Sequence, residues 1–173
     1  RVDIDVTKCF PKLTKALIDF ILGGILLNQI NEKLVHYSML VHIETKKQAH
    51  EQQKEIFKTI QENLVEKIKT EDKSLLTQIN EQFEQLMNGM KKAPNLTMEQ
   101  LVSLLLEALE EQVKITVINS GNKQRPETDE NGNIKNTVPF SIFIGAYAVD
   151  RGVTFPNLIS FIFGRAAKNV TLD

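Results

Sequence analysis

The sequence predicts an α/β fold of three layers, with a mainly parallel sheet flanked by helices and an added helical segment. Three observations carry that prediction. The runs Phe140–Ile144 and Leu158–Phe163 are continuously apolar rather than alternating, which is the pattern of strands buried on both faces between helix layers. The run "YSMLVHI", residues 37–43, passes at once into a helix start, and strand followed directly by helix belongs to α/β architecture. Finally, residues 46–112 show three successive stretches of helical periodicity, more than one crossover between parallel strands requires.

The elements follow in order along the chain. Leu13, Ala16, Leu17, Phe20, Ile21, Ile25 and Ile30 recur at helical spacing and predict a first helix over residues 12–31. Gly23 and Gly24 weaken it by roughly 1 kcal/mol each, so close packing against a neighbour is expected there. The strand over residues 37–43 ends at Thr45 with Gln48, a capping box that opens the next helix, to about residue 69, with Ile56, Ile60 and Leu64 as its buried face. A third helix, over residues 71–91, carries Leu75, Leu76, Ile79, Phe83, Leu86 and Met90 on one side and stops at Gly89 or Pro94. A second capping box, Thr97 with Gln100, launches a fourth helix with Leu101, Leu104, Leu105, Ala108 and Leu109. The β-branched run over residues 113–120 predicts the second strand. Residues 121–137, with Pro126 and "DENGN", read as an exposed loop or irregular hairpin before the last two strands.

Composition narrows the functional classes. The chain has 173 residues, a formal net charge of -1, 42% hydrophobic and 25% charged residues, so a single domain is expected over 1–173, with no global pull toward nucleic acid or anionic lipid. The single cysteine, Cys9, excludes an internal disulfide and fits a reducing, cytoplasmic setting. Residues 16–27 are strongly apolar but carry Asp19 and fall short of the roughly 20 apolar residues of a membrane span, so a core helix and no membrane contact are expected. The three histidines, His36, His42 and His50, lack cysteine partners and paired helical spacing, so no metal site is expected; His42 reads as a satisfied core histidine.

In open parallel sheets, ligands bind at the carboxyl ends of strands. Three polar clusters stand just beyond such ends: Glu44 and Thr45; Asn119, Ser120 and Gly121; and Asp150, Arg151, Gly152 and Thr154. In the last, Gly152 would let backbone approach a phosphate, Arg151 could donate in bidentate fashion, and Asp150 could orient it; the plain alternative is an Arg151 pairing with Asp150 or a helix end.

The stretch "IFIGAYAVDRGVTFPNLISFIF" resembles the strand, Arg-Gly turn and strand of motif V in superfamily-two helicases, and "HYSMLVHIETKKQAHEQQKEIF" is similar to the strand-to-helix motif opening the same second RecA-like lobe. The arrangement more closely resembles the Z-one domain, attached to an endonuclease role in bacterial helicase-like restriction and modification proteins. His36, Ser38 to His42, Asn119-Ser120 and Arg151-Gly152-Val153-Thr154 appear in that family's order, and the likeness covers nearly the whole chain. Two positions depart from it: Ala146 stands where a second glycine is usual, and Asp150 where serine is usual. The resemblance implies a DNA-acting protein whose first RecA-like lobe holds ATP and magnesium, with this lobe closing on it through the motif-V turn. The family continues past Asp173 into an arginine-bearing segment, so this chain by itself is expected to be inactive as an ATPase and to bind neither cofactor. No phosphate-binding glycine loop with Gly-Lys-Ser/Thr occurs.

Two other readings remain open at this level. Glu44-x-Lys46 at a strand end is half of a magnesium nuclease signature, in which a carboxylate holds metal and lysine steadies the attacking water; its other half is missing, because Asp19 lies within a helix. The helical segment 46–112 could instead be a scaffold that docks a partner.

Overall fold

The computed structural model describes residues 5–42, 47–92, 94–118, 127–145 and 154–164, with side chains from residue 49 onward in the second of these. A short helix α1 (Val6–Cys9), not foreseen from sequence, precedes α2 (Pro11–Asn31), and strand β1 (Tyr37–His42) follows. Helices α3 (Lys47–Lys69), α4 (Lys73–Asn88) and α5 (Met98–Glu107) come next. A π-helical turn, Ala108–Gln112, then leads directly into β2 (Val113–Val117), followed by β3 (Phe140–Ile144) and β4 (Leu158–Phe163).

Local chemistry sets the boundaries. Pro11, at the first turn of α2, carries no N–H to leave unsatisfied. The side chain of Asp72 accepts from Leu75 N at 2.8 Å, so α4 begins at Lys73, two residues later than its periodicity predicts, and Gly89 caps its other end. At α5 the capping box forms in both directions: Gln100 N donates to Thr97 Oγ1 at 3.2 Å, and Thr97 N donates to Gln100 Oε1 at 2.9 Å. The counterpart predicted at Thr45 and Gln48 lies outside the described positions.

The predicted fold class is the observed one: an α/β arrangement of three layers whose four strands are all parallel, in the order β2-β3-β1-β4. Alternation of side chains along each strand separates two faces. Tyr37, Met39 and Val41 of β1 and Phe140, Ile142 and Ile144 of β3 join the helices in the main core. Phe20 of α2 meets Phe140 edge to face, with ring centroids 5.7 Å apart. Gly24 answers the expectation of close packing: a Cβ there would stand 2.6 Å from Phe140 Cε1 and 2.9 Å from Tyr37 Cδ2. Gly23 has only Ile159, at 4.0 Å.

Helices α2 and α3 contact the strands, and α4 and α5 pack on α2 and α3. Gln82 of α4, buried, ties the tiers together by donating to Asp19 Oδ1 at 2.6 Å and to the Lys15 carbonyl at 3.0 Å on α2. The buried stripe of α3 is Phe57, Ile60, Leu64 and Ile68, with the predicted Ile56 half-buried at its margin. On the other face of the sheet Leu40, Ile118 and Phe143 form a smaller cluster with Ile134 and Phe155. Among the described residues that face is covered by connecting segments.

One sequence expectation changes here. The strand β4 is not buried on both faces: among the described residues it is an edge strand, as β2 is at the other side of the sheet, and Phe161 and Phe163 are 52% and 58% exposed. A continuous apolar run does not distinguish an edge from a centre, because hydrogen-bonding neighbours are absent from local sequence. Helix α2 is also longer than the apolar run at its centre, and by length and composition alone it is long enough to cross a membrane. Leu17, Ile18, Phe20, Ile21, Leu22, Ile25 and Leu26 are buried in the main core instead.

Candidate functional site

All-parallel pairing gathers the carboxyl ends of the four strands on one rim. Three backbone hydrogen bonds extend the ladder past the strand ends. Ile118 N donates to the Ile144 carbonyl at 2.7 Å, Gly145 N to Val41 O at 3.0 Å, and Gly164 N to His42 O at 3.0 Å. Ile118, Gly145, His42 and Gly164 therefore stand side by side along it. The clusters singled out in sequence come later along the chain than three of these residues: Glu44 and Thr45 two residues past His42, Asn119 to Gly121 directly after Ile118, and Asp150 to Thr154 five residues past Gly145.

Gly145 has a specific reason to be glycine. Its φ is +148°, and a Cβ would stand 2.1 Å from the carbonyl oxygen of Ile118. Two strand ends are thus held closer than any side chain permits.

The aromatic pair beside this glycine was missed from sequence. His42 and Phe163, in register on β1 and β4, stack with centroids 5.4 Å apart and planes 15° from parallel. His42 Nδ1 lies 3.4 Å from the Gly145 carbonyl. Half-buried and stacked, His42 is a rim residue rather than the core histidine expected from its apolar strand. Alternation of "LISFIF" from Phe163 back to Phe161 places both rings on one face, a signal present in the sequence but unreadable without knowing that β4 is an edge.

Of the predicted site residues, Thr154 is described. It is exposed and lies in the segment running over the second face toward β4, where its carbonyl accepts from Ile134 N at 3.1 Å. Glu44, Thr45, Lys46, Asn119, Ser120, Asp150, Arg151 and Gly152 lie outside the described residues. The carboxylate considered for a second nuclease ligand, Asp19, sits in α2, paired with Lys15 Nζ at 2.6 Å and bonded to Gln82.

The segment following Thr154 is fastened at the amino end of the sheet. The Ser38 hydroxyl, fully buried, donates to the Pro156 carbonyl at 2.7 Å and accepts from Asn136 Nδ2 at 2.8 Å. His36 Nδ1 stands 2.8 Å from Asn136 O, and Asn157 Nδ2 donates to His36 O at 3.0 Å. Asn157 holds a left-handed φ of 50°, which asparagine tolerates. This polar knot ties residues 136 and 156–157 to β1, so the connection between β3 and β4 returns to the sheet at a determined place.

The irregular hairpin is present in part: Thr128 bridges Ile134 in antiparallel fashion. Asp129 closes its turn, accepting from Asn131 N at 2.9 Å and Asn133 N at 2.8 Å, and hydrogen bonds from Asn133 hold its carboxyl below the usual range. That carboxylate is committed to its own turn. Among the described residues no group of three or more His, Cys, Asp or Glu side chains could hold a metal ion, so the described part of the rim offers no magnesium ligand set. Away from the rim, a groove of ≈ 680 Å³ opens between α4 and α5, lined by Leu76, Met98, Val102 and Leu106 with Ile68 of α3.

The chain matches the family described as the Z1 domain over residues 12–172. No curated protein and no solved structure matches the chain.

Proposed function

This chain belongs to the Z1 domain family, and on that premise we propose that it is one lobe of a helicase-like, DNA-acting restriction, modification or defence protein. In this reading the lobe couples nucleotide state to DNA through the turn at residues 150–154. The observation that supports it most is the shared rim, where backbone hydrogen bonds align the strand ends at Ile118, Gly145 and His42; Asn119 follows the first directly, Glu44 comes two residues after His42, and Asp150 comes five after Gly145.

The roles follow from side-chain chemistry. Arg151 donates two parallel hydrogen bonds to a phosphate, Asp150 orients the guanidinium, and Gly152 admits the phosphate to the backbone. Thr45, Asn119 and Ser120 supply neutral donors on the neighbouring segments. ATP and magnesium would belong to the full-length protein, held by a first RecA-like lobe, where the metal would supply charge neutralisation at the phosphates. The lobe works in the cytoplasm and away from membranes. Arg151 with Lys168 would neutralise about two phosphates, for a log-log salt slope of about -2, so DNA binding by this lobe alone is weak.

The deciding experiment is ATP hydrolysis by the full-length protein with and without duplex DNA, comparing wild type with Arg151→Ala. Loss of DNA stimulation in the variant, with the melting temperature unchanged, is the expected result. Equal stimulation in both proteins would remove the turn from the mechanism. If neither hydrolyses ATP, the helicase-like reading fails.

A further inference from the structure

Phe161 and Phe163 are an unusual expenditure of apolar surface. Both residues are more than half exposed, on a strand that among the described residues is an edge of a sheet whose helices supply a well-filled core on the opposite face. Their centroids lie 6.1 Å apart. One side of the Phe163 ring is occupied by the near-parallel His42 ring. Phe163 nonetheless stays 58% exposed.

From this geometry we infer that Phe161 and Phe163, backed by His42, form a stacking platform for unpaired nucleobases at the carboxyl rim. The chemistry favours that occupant. A flat ring with one face already stacked presents its second face to another flat ring, and base–aromatic stacking on an open sheet face is a recurrent mode of single-strand recognition. The platform stands beside Gly145 and Gly164, on the rim where parallel sheets bind ligands.

Spacing gives selectivity. Two rings 6.1 Å apart exceed the B-DNA rise of about 3.4 Å per base on one strand. Bases resting on both rings must therefore be splayed, so the platform takes a single strand in preference to a duplex. The inference rests on reading this rim as one that faces nucleic acid, and names the part of the ligand it touches.

The chain contains no tryptophan, which makes the test direct. Phe163→Trp keeps a stacking ring and installs one indole reporter. Titration with a single-stranded oligothymidylate, the matching duplex and ATP separates the possible sources of a base. Quenching by the oligothymidylate at lower concentration than by the duplex is expected, whereas quenching by ATP alone would assign the platform to a mononucleotide base. Quenching by none of the three overturns the inference. In parallel, Phe163→Leu keeps apolar bulk without an aromatic face. It should weaken single-strand binding roughly 5- to 150-fold while the melting temperature holds; wild-type affinity in that variant also overturns the inference. Arg151→Ala does not remove these rings, so quenching persists even if the ATPase reading fails.

Discussion

The carbonyl oxygen of Ile118 lies 2.1 Å from the place a Cβ on Gly145 would occupy, and the two residues end neighbouring parallel strands. With a φ of +148° at Gly145, both space and backbone conformation exclude a side chain. The carboxyl rim is therefore built around a contact between two backbones.

Gly145→Ala is the sharpest consequence. The obstacle is a main-chain carbonyl rather than a movable side-chain tip, so the strand ends must separate. A loss of about 2 kcal/mol or more is expected, or roughly 4–8 °C in melting temperature for a chain of this size. A variant melting within about 1 °C of wild type would show that the rim tolerates the separation.

The two helix glycines should respond with opposite signs. Gly24→Ala drives a methyl into the rings of Phe140 and Tyr37, and overpacking of about 1–3 kcal/mol outweighs the helix-propensity gain. Gly23→Ala meets only Ile159 at ordinary contact distance and should stabilise by roughly 0.5–1 kcal/mol. Chemical denaturation of both variants checks the pair; equal shifts would refute the packing assignment.

Asn136→Ala should cost about 1–3 kcal/mol, because the buried Ser38 hydroxyl loses its donor and the His36 and Pro156 carbonyls each lose a hydrogen bond. Beyond stability, the knot positions the segment entering β4. Proteolysis near residue 154 should therefore accelerate more in Asn136→Ala than in Gly24→Ala at matched global stability. Equal cleavage rates would make the knot a contributor to stability only.

Near the amino end, Lys67 Nζ bonds the Asp5 carboxylate at 2.8 Å and Thr7 Oγ1 adds a second hydrogen bond, so the Asp5 carboxyl is held well below its ordinary range. A depressed folded value means that stability is fully present above the unfolded value near 3.9 and is lost as pH falls through the folded one. Asp5→Asn should therefore lower stability slightly at pH 7, by on the order of 1 kcal/mol or less since both partners are partly exposed. The gap to wild type should narrow below about pH 4. A gap that stays constant from pH 7 to pH 3 would contradict the assignment.

Much of this protein was legible in its sequence because the relevant forces act locally. Thr97 and Gln100 satisfy one another's backbone groups three residues apart, so the start of α5 is written in four letters. The spacing of Leu17, Phe20, Ile21 and Ile25 defines a buried helix face before any partner is known, and "FSIFI" is buried at every position, as a central parallel strand should be. Even the need for close approach at Gly23-Gly24 was visible, though not which glycine carried it. Asp72, by contrast, moved the start of α4, since a side chain can cap or continue a helix with little difference in pattern.

Tertiary structure alone decided which of the two continuously apolar strands lay at an edge, and through that the character of the rim. "FSIFI" and "LISFIF" are equally apolar, yet β3 sits between β2 and β1 while β4 has β1 as its neighbour in the sheet. Strand order depends on pairings between residues a hundred positions apart, such as Tyr37 with Phe140 and His42 with Phe163, whose free energy has no local signature. For the same reason the stacked His42–Phe163 pair and the backbone contact at Gly145 became visible only when distant segments met: sequence determines what each segment prefers, and packing determines which surfaces those preferences leave exposed.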